Sequence, residues 1–398
     1  MCGIVGYWAS ARSDSAEGLR RTVGQMANLL RARGPDGDGV WVDSRAGIAL
    51  GHRRLAVIDV SPTGQQPMMS ADGRMVLIYN GELYNTVELR RELERGGSRF
   101  RGHSDTEVIV EACAAWGVSA TVRRLSGMFA FALWDISSQE LFLARDKVGI
   151  KPLYWGRHGD VFFFGSQMKA FAPHPGWRPE LDRDAIASYV RLGYVPSPYS
   201  IYKDMAKLSP GHILRIDQTN TVRSERYWDI DQIAIDGVDA RATLSDEAAT
   251  DALERILRAA VKRHMVSDVP TGAFLSGGID SSLIAALMQS ESSDPIKTFS
   301  IGFTEDAYDE AVHAKSVARH IGSDHTEFYA TPQEAIDVIP NLPGWYDEPF
   351  ADSSQIPTFL VSRLARQDVV VALSGDGGDE LFAGYNRYMW GERLRHAL

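Results

Sequence analysis

The chain has 398 residues, 44% hydrophobic and 24% charged, with two cysteines and a formal net charge of −10 at pH 7. That length exceeds one ordinary domain, so two or three domains with sizeable cores are expected. The acidic balance argues against a nucleic-acid or anionic-membrane partner, and two cysteines make neither a disulfide framework nor a metal cluster, which fits a reducing cytoplasm. No apolar run approaches the ~20 residues of a membrane span. The N-terminus lacks a basic segment before a long apolar stretch, so no signal peptide is expected.

In chain order, a strand is expected at Cys2–Trp8. A helix follows from Ala16 to Arg31, where Leu19, Val23, Met26, Leu29 and Leu30 recur at helical spacing. Strands are expected at Gly47–Leu50, Leu55–Asp59 and Met75–Asn80, then helices at Thr86–Glu94 and Thr106–Trp116. Ser104-Asp105-Thr106-Glu107 has the pattern of a capping box opening the second helix. Next comes an antiparallel meander of Gly127–Asp135, Glu140–Asp146, Pro152–Gly156 and Val161–Gly165, its short aromatic-rich runs separated by polar turns. After the proline-rich stretch Tyr194–Pro198, a strand pair at Gly211–Ile216 and Arg226–Ile230 precedes the acidic segment Asp231–Asp246. Helices and antiparallel strands in separate runs indicate α+β layering for this half.

Beyond a boundary placed near residue 215, the rhythm becomes βα. A helix at Asp246–His264 leads to strand Gly272–Leu275 and helix Ser281–Gln289. Strand Lys297–Phe303 precedes helix Tyr308–Ile321, and strand Thr326–Ala330 precedes helix Pro332–Ile339. Helix Ser353–Arg366 and strand Val369–Leu373 follow. Such alternation implies a parallel sheet with helices on both faces.

Two places carry chemistry. Removal of Met1 would make Cys2 the first residue, combining a soft nucleophile with an α-amine of pKa near ~8 that can accept its proton. Alone, a cysteine at position 2 is equally a strand residue. The second place is Leu275-Ser276-Gly277-Gly278-Ile279-Asp280-Ser281-Ser282, between a strand and a helix. Adjacent glycines let backbone N–H groups point inward, and the helix N-terminus adds positive potential, which makes an anion cradle. The lysine of a Walker loop is missing, so Asp280 is a candidate to hold Mg²⁺ against phosphate charge. A second loop, Ser374-Gly375-Asp376-Gly377-Gly378-Asp379-Glu380, follows another strand pattern. In an open parallel sheet, both loops lie at the carboxyl edge, where ligands bind.

These segments together resemble glutamine-hydrolysing asparagine synthetases. The match includes Met1-Cys2-Gly3-Ile4, Arg33-Gly34-Pro35-Asp36, His52 through Asp59, Tyr79 through Asn85, Ser104 through Glu107 and Ser126 through Phe131. It continues with Arg145-Asp146, Lys151-Pro152-Leu153-Tyr154 and the two glycine-rich loops. The resemblance implies an α+β N-terminal-nucleophile domain (an αββα sandwich, class II glutamine amidotransferase) over residues 2–215. It implies an α/β parallel-sheet, adenine-nucleotide hydrolase-like synthetase domain of the ATP-pyrophosphatase type over residues 216–398.

Roles follow from the resemblance. Cys2 would attack the glutamine amide, with Asn80 and the Gly81 N–H as oxyanion hole. Arg54 would bind the α-carboxylate, Asp105 with Glu82 the α-ammonium, and Leu55 and Val57 would add backbone contacts. ATP would lie against Leu275, Ile301, Ser374 and Gly375, with its pyrophosphate on Ser276, Gly277, Gly278, Ser281 and Ser282. Asp280 and Asp379 would hold Mg²⁺, and Asp376, where some relatives carry glutamate, would serve adenylate formation. The substrates would be glutamine, ATP and aspartate or another carboxylic acid, with an enclosed passage for ammonia; dimers occur among relatives. Relatives continue past residue 398, so this synthetase domain is expected to be truncated, either as a fragment or with synthesis impaired while hydrolysis survives.

Duller alternatives stand beside these roles. Asp105 also suits a helix N-terminus, Asn80-Gly81 a hairpin turn, and Arg53-Arg54 a solvated pair. Leu275 and Ile301 also suit a core, and Cys113 reads as a buried structural thiol.

Overall fold

The computed structural model describes residues 1–9, 15–241, 243–303 and 310–397. It divides into two compact units, Met1–Ala242 with Pro343–Ala351, and Thr243–Leu342 with Asp352–Leu398.

The first unit contains β1 (Gly3–Ala9), β2 (Gly37–Asp43), β3 (Ile48–Arg54), β4 (Met68–Met69), β5 (Met75–Leu83) and β6 (Gly127–Asp135). It continues with β7 (Glu140–Arg145), β8 (Tyr154–His158), β9 (Val161–Gly165), β10 (Met205–Lys207), β11 (His212–Ile216) and β12 (Val222–Arg226). They form two six-stranded sheets, ordered β10-β8-β9-β1-β3-β2 and β12-β11-β7-β6-β5-β4. All their pairings are antiparallel.

Both faces of each sheet are covered, and the period-2 geometry of a strand sorts residues between them. Ile4, Trp8, Val76, Ile78, Ala130, Ala132, Trp134, Phe162 and Phe164 fill the layer between the sheets. Val5, Tyr7 and Phe163 face the other way, onto Leu19, Val23 and Met26 of the helix Ala16–Asn28. Leu77, Tyr79, Phe129, Phe131 and Leu133 face Val108, Ile109 and Ala112 of the helix Asp105–Trp116. This is the expected αββα sandwich. Each fully buried large apolar side chain contributes on the order of 1.5–3 kcal/mol, and burial on both faces explains why these strands read as apolar runs.

Three expectations are corrected, and one strand is added to those expected. β2 hides behind Gly37-Asp38-Gly39 yet pairs with β3 from Gly37↔Arg54 to Asp43↔Ile48. Leu55–Asp59 is a loop rather than a strand, because the Asp36 carboxylate takes the Ala56 N–H and Asp59 adopts φ 53°. The meander is antiparallel but split: β6 and β7 lie in one sheet, β8 and β9 in the other. Arg145 and Asp146 hold the crossing, the guanidinium donating to the carbonyls of Gly149, Lys151 and Leu208. The Asp146 carboxylate accepts the N–H groups of Phe129, Ile150 and Lys151. The second strand of the later pair is Val222–Arg226, with a helix from Ile230.

The sequence-placed boundary at 215 falls within β11, whose pairing with β7 and β12 keeps that stretch in the first unit. The segment Pro343–Ala351 also folds with the first unit. Its Glu348 carboxylate accepts from Lys207 Nζ at 2.7 Å and the Ile201 N–H at 2.8 Å.

The second unit holds a four-stranded parallel sheet of β13 (Thr271–Phe274), β14 (Lys297–Phe303), β15 (Asp324–Ala330) and β16 (Val371–Leu373), ordered β15-β14-β13-β16. Helices cover both faces. Val261, Ala285, Met288, Ala314 and Ala318 pack with Ala273 and Leu275 on one, and Val361 and Ala365 with Phe299 on the other. β16 is half-buried rather than central, because it is an edge strand paired to β13. The helix expected from Tyr308 is described from Ala311 to Ile321; its expected first residues, 308 and 309, lie outside the described residues. Among the described residues no helix is long and apolar enough to cross a membrane.

Candidate active sites

In the first unit, β1 places Cys2 beside the end of β3, with Gly3 opposite Arg53. The Cys2 Sγ accepts from the Leu55 N–H at 3.4 Å and lies 3.6 Å from the Leu55 carbonyl. The Arg-Gly-Pro-Asp motif builds this corner. Arg33 Nε donates to the Cys2 carbonyl at 3.0 Å, and Gly34 lies so close to the Arg53 backbone that any Cβ would collide with it. The Asp36 N–H donates to the Arg54 carbonyl at 2.9 Å.

Asn80, in β5, shares by alternation the face of Val76 and Ile78, which fill the layer between the sheets. Asn80 is 1% exposed, and neither atom of its side-chain amide has a hydrogen-bond partner. An unpaired buried donor or acceptor costs roughly 1–3 kcal/mol, a cost a fold retains where a ligand completes the bond. Asn80 and Gly81 stand inside β5, opposite Ala130 and Phe129, so the hairpin-turn alternative falls.

Arg54 is 8% exposed, which removes the solvated-pair alternative. Its Nη1 donates to the Ser61 carbonyl at 3.1 Å, and its Nη2 to the carbonyls of Ile58 and Asp59. Asp105 does more than decorate a helix end. Its carboxylate accepts from the Tyr79 hydroxyl at 2.9 Å and the Leu83 N–H at 3.1 Å, tying the helix start to β5. Ser104 caps the helix by accepting the Glu107 N–H at 3.2 Å. The Glu107 carboxylate turns instead to the N–H groups of Arg101 and Gly102, so the capping box is half formed.

Burial dominates the electrostatics. It raises the Cys2 thiol, partly offset by the Leu55 N–H and the terminal amine. Burial pulls the Met1 amine down to about 5, with Arg33 and Lys151 adding to the effect. Burial and then Asp105 raise the Glu82 carboxyl, and burial raises Asp105 against its hydrogen bonds. Lys151, 5% exposed, is lowered by burial and feels Glu82, Arg33 and Cys2. Burial also pulls His52 down to about 3, so it stays neutral, with Nε2 3.1 Å from the Tyr79 carbonyl. Leu55 and Val57 lie on the loop between Cys2 and the Arg54-bound carbonyls. Arg33 and Lys151 belong to the recognised motifs but received no role from sequence. Their signal was membership of Arg-Gly-Pro-Asp and Lys-Pro-Leu-Tyr.

In the second unit, β13 and β16 are neighbours, which brings their following loops together. A Cβ on Gly375 would crowd Ser281 N and the Asp280 Cβ, and one on Gly378 would strike the Asp280 carboxylate. Gly277 has φ 80°, and a Cβ there would lie 2.7 Å from His313 Cβ and Ala314 N, so only glycine fits. Ser281 Oγ lies 2.9 Å from Ser276 Oγ and accepts the Ser276 N–H at 3.2 Å. The helix Ile279–Glu291 opens at Gly278 with no side-chain cap, and the buried Ser282 hydroxyl has no partner. Uncapped N–H groups and a spare hydroxyl suit a polyphosphate. Leu275 is buried and Ile301 partly buried within the sheet's core. Ser374 donates to Asp376 at 2.9 Å.

Among the described residues no three His, Cys, Asp or Glu side chains gather as a metal cage. Mg²⁺ ordinarily takes one or two carboxylates together with phosphate oxygens and waters. Asp280 at the contact of the two loops, with Asp379 on the second, fits that donor set.

Residues 1–228 match the glutamine amidotransferase domain family, and residues 252–398 the asparagine synthase family. The chain is 36% identical to asparagine synthetase [glutamine-hydrolyzing] 1 of Bacillus subtilis, over 98% of this chain and 59% of that protein. It is 35% identical to putative asparagine synthetase [glutamine-hydrolyzing] 2 of Methanocaldococcus jannaschii, over 99% of this chain and 77% of that protein. It is 30% identical to the amidase chry2 of Gibberella zeae, over 98% of this chain and 60% of that protein. Two of these three relatives thus extend well beyond the length matched. With both domain families present in order and such relatives matched almost end to end, the chain belongs to the glutamine-hydrolysing asparagine synthetase family.

Proposed function

We propose that the chain performs glutamine-dependent, ATP-driven amidation of aspartate to asparagine. The observation that carries the reading is the partnerless buried amide of Asn80. Once Met1 is removed, the Cys2 amine takes the thiol proton, directly or through water. Sγ then attacks the glutamine side-chain carbonyl carbon. The oxygen's developing charge is met by Asn80 Nδ2 and the Gly81 N–H, and the leaving nitrogen takes the proton and departs as ammonia. Water cleaves the glutamyl thioester, returning the thiol and releasing glutamate. Arg54 holds the α-carboxylate through charge-assisted hydrogen bonds, and Asp105 with Glu82 holds the α-ammonium.

In the second unit, an oxygen of the aspartate β-carboxylate attacks the α-phosphorus of ATP. Pyrophosphate leaves onto Ser276, Gly277, Gly278, Ser281 and Ser282, while Leu275, Ile301, Ser374 and Gly375 flank the nucleoside. Asp280 and Asp379 would hold Mg²⁺, which supplies charge neutralisation to the departing pyrophosphate. Asp376 serves adenylate formation. Ammonia then displaces AMP from the acyl carbon.

A second reading keeps this machinery and changes the acid. A relative matched over nearly the whole chain bears a name other than asparagine synthetase, which leaves room for a different acid in this architecture. The test is formation of AMP and pyrophosphate from ATP with aspartate, sugar acids or peptides, given glutamine or ammonia. Turnover with another acid and none with aspartate would replace the first reading by the second. Glutamine hydrolysis without AMP formation from any acid would leave a glutaminase.

A further inference from the structure

Asp59 is fully buried, holds a left-handed backbone at φ 53°, and has no part in the chemistry above. Its carboxylate is shared between two loops. Oδ1 accepts from Ser61 Oγ at 2.5 Å, and Oδ2 accepts from Thr63 Oγ1 at 2.8 Å. The same Oδ2 accepts the His103 N–H at 3.0 Å, two residues before Asp105. The carbonyl of Asp59, with those of Ile58 and Ser61, receives the terminal nitrogens of Arg54. One residue therefore ties the loop that grips Arg54 to the loop that delivers Asp105.

Two glycines close the space around this knot. A Cβ on Gly64 would strike Arg54 Nη2 and the Asp59 carbonyl, and one on Gly102 would strike the Asp59 carboxylate and Thr63 Oγ1. The carboxylate stays anionic at ordinary pH. Burial pushes it up, but the Ser61 hydroxyl, the His103 N–H and the Thr63 hydroxyl outweigh this and bring it to about 2. A residue that merely shaped one turn would need only its local partners. The bond to His103 reaches the loop that leads into Asp105.

We propose that Asp59 is a positioning residue that sets the spacing between Arg54 and Asp105, and so makes the pocket selective for a free α-amino acid carrying both α-carboxylate and α-ammonium. This rests on reading the Cys2 pocket as a glutaminase site. Fixing two opposite charges at one separation rewards a zwitterion and gives little to a molecule lacking either charge.

The test uses the full chain and ammonia release from L-glutamine, its α-carboxamide and its N-acetyl derivative, with inhibition constants where an analogue is not turned over. Asp59→Asn should raise KM for glutamine by about tenfold or more, with kcat within about threefold, as for loss of substrate binding shared by ground and transition states. The preference for glutamine over both analogues should fall by a similar factor. Ser61→Ala and Thr63→Ala should shift the same ratios about two- to fivefold, and they decide the matter if Asp59→Asn does not fold. Unchanged ratios, or a parallel loss on all three compounds through kcat, would overturn the role of Asp59. A wild-type chain that neither binds nor hydrolyses glutamine would instead remove the parent reading, and this one with it.

Discussion

The two units solve opposite problems. In the first, Cys2 and Arg54 are held at strand ends, Asn80 inside β5 and Asp105 at a helix start, with Arg54, Asn80 and Asp105 buried. In the second, Ser276, Gly278 and Asp376 are exposed, and the loops are shaped by glycine contacts rather than enclosed. On the proposed reading the first site carries out acyl transfer, which needs donors aimed beforehand at a charge that exists only in the transition state, and a buried site suits that need. A polyphosphate brings its own charge and is gripped by backbone N–H groups at a helix start. Such a site can stay open until its ligand arrives.

That contrast can be broken most directly at the nucleophile. Cys2→Ala should lower glutamine hydrolysis by on the order of 10⁴ or more, read as ammonia release. If it also removed ammonia-dependent AMP formation, the division of labour between the units would fail. Asn80→Ala should cost about 10²–10³ in kcat with little change in KM; a change confined to KM would mean that its amide binds substrate rather than the oxyanion. At the open site the effects should be smaller. Asp280→Asn should weaken Mg²⁺-dependent ATP binding about tenfold, and Ser282→Ala a few-fold, both by titration calorimetry.

The pH dependence sharpens the comparison further. His52 sits at about 3 when folded and near ~6.5 when unfolded. The unfolded chain therefore binds more protons between those values. The stability contributed by neutral His52 is complete above about 6.5 and is lost as pH falls toward 3. Urea unfolding at stepped pH should show that slope, and glutamine hydrolysis should show no inflection from His52 near 6.5. Smallest of all is a labelling contrast. Cys113 is buried, which raises its thiol to about 12, whereas Cys2 is partly exposed, so alkylation of the folded chain should mark Cys2 and spare Cys113 until the protein unfolds.

Much of this was legible before any coordinates. The helix Asp246–His264 and strand Lys297–Phe303 have the bounds expected from the sequence. Cys2 and the Ser276–Ser282 loop stood out because their chemistry depends on residue type and neighbours in sequence. The apolar residues of Leu55–Asp59 have the pattern of a strand, yet the segment is a loop. Asp36, 20 positions from Ala56, diverts its backbone. β2 was missed because its glycines resemble a turn, although one of them makes room for the Gln66 carbonyl.

By itself, the order of residues determined the two-part plan and singled out Cys2 and the Ser276–Ser282 loop as candidates, since strand and helix periods, glycine turns and a cysteine beside the initiator are local properties. Only the tertiary structure decided that Asn80 is a partnerless buried amide, that Asp59 joins two loops 44 residues apart, and that Pro343–Ala351 packs with the first unit. Those outcomes depend on which distant groups compete for the same hydrogen bonds once water is excluded, and no local pattern records that competition.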